Sequence, residues 1–168
     1  MRRRWNLPTL LVSVGLALLV TAAPQGAQAG EITLFWARNS PRATWRDAEG
    51  ATLTLGLAKV AQLEVEGARG LDTESVSRLT YFTAGAALKV PFTKVSPFAG
   101  LAVGVYHQSL GDDWKIGTLG AEFAGIKVRI ADLIVLRGEY RRLQLHGLSG
   151  TPFHPLDSRV ALGAGIAF

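Results

Sequence analysis

The feature that most limits what this chain can fold into is a two-residue hydrophobic period running from Gly30 to Phe168. Successive side chains of a strand point to opposite faces, so strict alternation deals one set of residues onto each side of a sheet. Ile32, Leu34 and Trp36 alternate with Thr33, Phe35 and Ala37, and Leu53, Leu55 and Leu57 with Thr52, Thr54 and Gly56. Leu63 and Val65 alternate with Gln62, Glu64 and Glu66, and Phe82, Ala84, Ala86, Leu88 and Val90 with Tyr81, Thr83, Gly85, Ala87 and Lys89. The same pattern returns at Leu101–Val105, Ile126–Ile130, Ile134–Tyr140 and Val160–Phe168. Nothing at period 3.6 competes with it, and the count predicts eight strands.

The links between these strands alternate in length. Long polar links are predicted at about 38–50, 69–77, 108–115 and 146–157, and short turns near 59–61, 91–95 and 131–133. An even number of strands joined by long and short links in turn is the pattern of an up-and-down barrel. Between Gly120 and Gly125 the apolar phase shifts from Leu119, Ala121 and Phe123 to Ile126, which predicts a bulge near Gly125.

The first 29 residues read differently. Arg2, Arg3 and Arg4 precede an apolar run from Leu7 to Ala23, and Ala27-Gln28-Ala29 has the small-x-small form of a cleavage site. Residues 1–29 are expected to be a secretory signal peptide and residues 30–168 a single domain. The net charge of +5 then falls to about +2, because the signal carries three of the eighteen basic residues. That balance, in an exported chain, argues against a nucleic-acid partner. There is no cysteine to form a disulfide. No stretch after residue 29 has the ~20 apolar residues of a spanning helix.

Alternation alone does not say which face meets lipid, and a lipocalin-like soluble barrel would show it inside out. The eighth strand decides the matter: its less apolar set is Ala161, Gly163, Gly165 and Ala167, small residues suited to a crowded lumen. The ending Gly163-x-x-Ile166-x-Phe168 resembles the C-terminal assembly signal of bacterial outer-membrane proteins. From residue 30 to 168 the chain resembles the small eight-stranded outer-membrane barrels of the OmpA/OmpX-like type. That resemblance implies an all-β, eight-stranded antiparallel up-and-down transmembrane β-barrel in the outer membrane of a Gram-negative bacterium. Outer-membrane lipid and lipopolysaccharide would surround it, and the barrel-assembly machinery would fold it. It is expected to be a monomer without a cofactor, in a structural or surface-interaction role.

Three groups of residues are candidates for chemistry. Glu64, Glu66, Glu122, Lys127, Arg129, Arg137, Glu139 and Arg141 are expected to face the lumen as a paired ion network. The alternative for that set is a narrow gated channel, although its mixed signs do not form a selective ring. Trp36, Trp45, Phe82, Trp114, Phe123, Tyr140 and Phe168 are expected on outward faces or at strand ends, as interfacial aromatics. His107-x-Ser109 with Glu122 resembles the His-x-Ser pair and neighbouring glutamate of outer-membrane lipid A deacylases. On that alternative Ser109 is the nucleophile, His107 its base and Glu122 the group orienting the imidazole. Leu110 stands where those enzymes have Asn, and parity turns His107 outward and Glu122 inward. Arg38, Arg42 and Arg46 read as loop charges, and His146 and His154 are too far apart in sequence to suggest a metal site.

Overall fold

The computed structural model describes residues 30–39, 47–71, 77–90, 94–110, 113–130, 132–147 and 156–168. The expected signal peptide, Arg42, Trp45, Arg46 and His154 lie outside the described residues. Eight strands follow one another: β1 (Gly30–Asn39), β2 (Asp47–Gly56), β3 (Ala61–Leu71), β4 (Ser77–Lys89), β5 (Val95–Leu110), β6 (Asp113–Ile130), β7 (Ile134–Leu145) and β8 (Leu156–Ala167). Each pairs antiparallel with the next, and β8 closes on β1, from Glu31 opposite Ala167 to Asn39 opposite Arg159. The fold is a closed all-antiparallel β-barrel.

The faces follow the period-two pattern. Leu34, Leu88, Leu101, Val103, Leu162 and Ile166 are exposed on the outside, while Thr33, Thr52, Glu64, Thr83, Arg137 and Ala161, on the other parity, are buried inside. A soluble lipocalin-like barrel would require the reverse, so that alternative is set aside. The turn between β6 and β7 places Asp132 at φ 59°, a left-handed conformation that Asp tolerates better than most residues.

Two expectations about β5 and β6 are corrected. The link between them is two residues, Gly111 and Asp112, and not a long loop over 108–115. The strands extend instead: β5 has 16 residues and β6 has 18. Pairing of β6 with β7 starts only at Leu119 opposite Leu145, so the β5–β6 hairpin stands past the end of β7 and carries exposed Trp114 and Ile116 outward. Nor is there a bulge near Gly125. Register is unbroken from Val95–Val128 to Leu110–Asp113 on one side of β6 and from Leu119–Leu145 to Ile130–Ile134 on the other. Leu119, Ala121 and Phe123 simply face inward with Lys127. The apparent phase slip came from taking apolar residues as lipid-facing.

Glycine lets neighbouring strands and rings approach inside the barrel. At Gly104 a Cβ would run into the Phe82 carbonyl oxygen, and at Gly165 into that of Ile32. At Gly120 it would meet nothing within 4 Å. Gly165→Ala is expected to cost about 1–3 kcal/mol, the usual penalty of forcing atoms into a filled site, and Gly120→Ala almost nothing. Urea titration of the refolded protein, followed by the loss of heat-modifiable gel migration, measures both.

Candidate functional site: the closed lumen

A lumen this narrow holds side chains and little water, so each inward charge needs a counter-charge within reach. Strand parity supplies them from five strands. On β3, Glu64 and Glu66 point inward. From β7 come Arg137, Glu139 and Arg141, from β8 Arg159, from β6 Lys127 and from β1 Glu31, all buried.

The charges form two groups. In the larger, Arg159 Nη2 donates to both oxygens of Glu66 at 2.7 Å, and the Tyr81 hydroxyl donates to Glu66 Oε1 at 3.1 Å. Arg141 lies between three carboxylates: Nη2 donates to Glu64 Oε1 at 2.5 Å, Nε donates to Glu139 Oε1 at 2.8 Å, and Glu66 Oε2 is 3.2 Å away. Arg137 donates to Glu64 Oε2 at 2.8 Å and also pairs with Glu139. The smaller group sits nearer the short turns. There Lys127 Nζ donates to Glu31 Oε2 at 2.5 Å, with Thr54 and Gln62 also in reach. Arg129 reaches the other Glu31 oxygen at 3.3 Å, its side chain 39% exposed at the mouth.

Three phenylalanines cover these cations. The guanidinium of Arg141 lies 4.4 Å from the Phe123 ring centre, that of Arg137 4.5 Å from Phe98, and that of Arg159 4.5 Å from Phe35. Each ring faces a glycine in register: Phe35 opposite Gly50, Phe98 opposite Gly125, and Phe123 opposite Gly100. A Cβ on any of the three glycines would fall within 2.7 Å of the ring. The glycine gives up its volume to the aromatic across the strand, and the aromatic covers the bare backbone and the cation together.

The loop end of the lumen is closed by a different material. Ala37, Ala48, Ala68, Leu79, Tyr106, Leu119, Leu143 and Leu145 form a buried apolar cluster near the ends of their strands. Tyr106 donates its hydroxyl to the His146 carbonyl at 2.8 Å. Between Phe35, Thr52, Glu66, Arg137 and Glu139 there remains a void of about 10 Å³, roughly the space of one water. Among the described residues, Arg137 Nη1 and Arg159 Nε are buried without a hydrogen-bond partner.

Seven of the eight residues read as lumen charges therefore point inward, Arg129 only partly enclosed. Glu122 does not: it is exposed on the outer face, opposite Leu101 and Arg142. Its error is that of the bulge, since restoring unbroken register turns it outward. Glu31 and Arg159 were missed although parity with Thr33 and Ala161 places both inside. The three inward phenylalanines, Phe123 among them, were hidden by their apolarity. Trp36, Trp114, Tyr140 and Phe168 do stand exposed.

The His107, Ser109 and Glu122 set is not assembled. His107 is exposed and stacks on Trp114, ring centres 6.3 Å apart. Glu122 is level with Leu101, six residues along β5 from His107, or about 20 Å at ~3.3 Å per residue. Gly163 and Ile166 lie in β8, facing in and out respectively, and the backbone of Phe168 exchanges two hydrogen bonds with Gly30.

Among solved structures the chain is similar to the N-terminal β-barrel domain of OprF from Pseudomonas aeruginosa, with TM-score 0.60 and 20% identity, covering 86% of this chain and 100% of that one. Neisserial surface protein A matches with TM-score 0.59 and 14% identity over 83% of this chain and 94% of its own. Ail, the attachment invasion locus protein of Yersinia pestis, matches with TM-score 0.52 and 14% identity over 83% and 98%. No protein-family model and no curated protein matches by sequence. At these identities the likeness is one of fold, and the fold is that of the small eight-stranded outer-membrane β-barrels.

Removing one partner of a buried ion pair strands the other, a loss of about 3–5 kcal/mol. Arg159→Met is expected to destabilise the barrel by about that much, and Glu66→Gln together with Arg159→Met to recover part of it. Equilibrium unfolding in urea, followed by tryptophan fluorescence in lipid vesicles, reads the difference.

Proposed function

We propose that the chain is a small outer-membrane barrel that presents its loop end at the cell surface and conducts nothing through its centre. The observation carrying this reading is the filled lumen: paired charges occupy its middle and an apolar cluster covers its loop end. Ions crossing it would have to part Arg137 and Arg141 from three buried carboxylates and then pass through alkyl side chains. A narrow gated channel therefore has less support than a structural or surface-interaction role. The separation of His107 from Glu122 likewise removes the support for a deacylase.

The outer face supports insertion in lipid. Large apolar residues are exposed on every strand from β3 to β8 as well as on β1, an arrangement costly in water and favourable in hydrocarbon. Outward charges gather toward the loop end instead: Arg38, Arg69 and Arg142 are exposed there, and Arg69 pairs with Glu49. Such a rim suits the headgroups of outer-membrane lipid and lipopolysaccharide. The structural neighbours from Pseudomonas, Neisseria and Yersinia support an outer-membrane location, to be reached through the signal peptide and the barrel-assembly machinery.

Single-tryptophan variants test the placement. Trp36, on the apolar belt, is expected to be quenched by lipids brominated on their acyl chains. Trp114, on the projecting hairpin, is expected to be quenched by aqueous iodide and not by those lipids. The reverse pattern, or recovery of the folded protein free in the periplasm, overturns the reading. Planar bilayers holding the purified protein are expected to stay silent; steady single-channel steps that change with Glu64→Gln would restore the channel.

A further inference from the structure

The outer face of the β6–β7 seam carries two opposite charges that the barrel itself leaves unused. Glu122 and Arg142 stand directly opposite each other in register and both are exposed. Among the described residues, neither takes part in a salt bridge within 4.0 Å. Glu122 is bordered by apolar surface, with Leu101 across the other seam and Ala124 and Tyr140 at the next outward positions toward the turns. At the height of the headgroup rim a carboxylate faces lipid phosphates of its own sign and calls for a counter-charge.

The same seam has two bare positions. Gly120 and Gly138 present outward, and a Cβ would meet nothing within 4 Å at the first and only Leu162, at 3.8 Å, at the second. The inward glycines are required by collisions, but these two are not required by the barrel. With Ala124 they leave backbone open to close approach beside the charges.

We propose that this seam is a homodimer interface, in which Glu122 of each copy pairs with the partner's Arg142. A two-fold axis parallel to the barrel axis keeps height and exchanges left with right. A patch with an acid on one strand and a base level with it on the next is therefore its own complement. A lipid phosphate would meet Arg142 and leave Glu122 unmatched, whereas a second copy satisfies both. The proposal rests on the reading that this face lies in lipid, and it replaces the expected monomer.

The chain has no cysteine, so one introduced thiol reports the contact. Ala124→Cys is expected to give an oxidative dimer in lipid bilayers, and Leu63→Cys, on β3 across the barrel, to give none. Adding Glu122→Arg or Arg142→Glu to the Ala124→Cys chain should each reduce crosslinking by about tenfold or more, the scale of a like-charge clash. Co-expressing the two reversed chains should restore it, because opposite charges then meet across the interface. Crosslinking no greater than that of Leu63→Cys overturns the proposal. So does indifference to either reversal, or loss that co-expression does not rescue, which would place the pair within one barrel. Heat-modifiable migration of the same membrane samples separates the two levels. A folded barrel that does not crosslink ends the dimer alone, and a chain absent from the membrane fraction ends the reading beneath it.

Discussion

A closed ring of eight strands has too little interior to hydrate a charge, and most of this structure follows from that confinement. Glu64, Glu66 and Glu139 are held by Arg137, Arg141 and Arg159 because no solvent can do it for them. Phe35, Phe98 and Phe123 lie over those guanidinium groups because a planar cation with its edges engaged still presents a face. The glycines opposite the rings complete the arrangement by yielding the volume of a side chain. Charge pairing, aromatic cover and missing Cβ atoms answer one shortage of space.

How much was legible in the sequence depended on which physical rule each element obeys. The strand count, the antiparallel order and the outward faces of β1, β5 and β8 follow from simple alternation, because lipid accepts only apolar residues. The inside obeys a weaker rule. It takes charges if paired, small residues where backbones crowd, and aromatics where a cation needs covering, so apolarity does not mark its residues. Phe123 is apolar yet inward on that account, and its phase against outward Ile126 mimics a bulge. Glu122 was carried to the wrong face by the same step. Arg159 and Glu31 obeyed the alternation but stood near strand ends, where the expected loop and leader drew the reading elsewhere. Their partners, on strands far away in sequence, are set by closure of the ring, which no local pattern records.

The two ends of the barrel are chemically unlike. Toward the short turns the lumen ends in Glu31, Lys127 and a partly exposed Arg129; toward the loops the described inward residues are leucine, alanine and tyrosine, with one buried glutamine, Gln108. The described lumen is thus charged toward one end and mostly apolar toward the other. Any recognition at the loop end is left to the links and to the β5–β6 hairpin that extends past the end of β7, with the barrel as a rigid mount.

The seam between β1 and β8 differs from the other seven in one respect: its strands come from opposite ends of the domain. Seven seams join consecutive strands and can form as local hairpins with short loops to close. The eighth must wait until the last strand is available, and it carries the largest entropy of closure. Until it forms, Arg159 on β8 is apart from Glu66, and Glu31 on β1 is apart from Lys127. An open sheet thus has two bare edges and a set of ions without counter-ions. Closure removes both in one step, so this barrel has strong cause to pass between open and shut without stopping halfway.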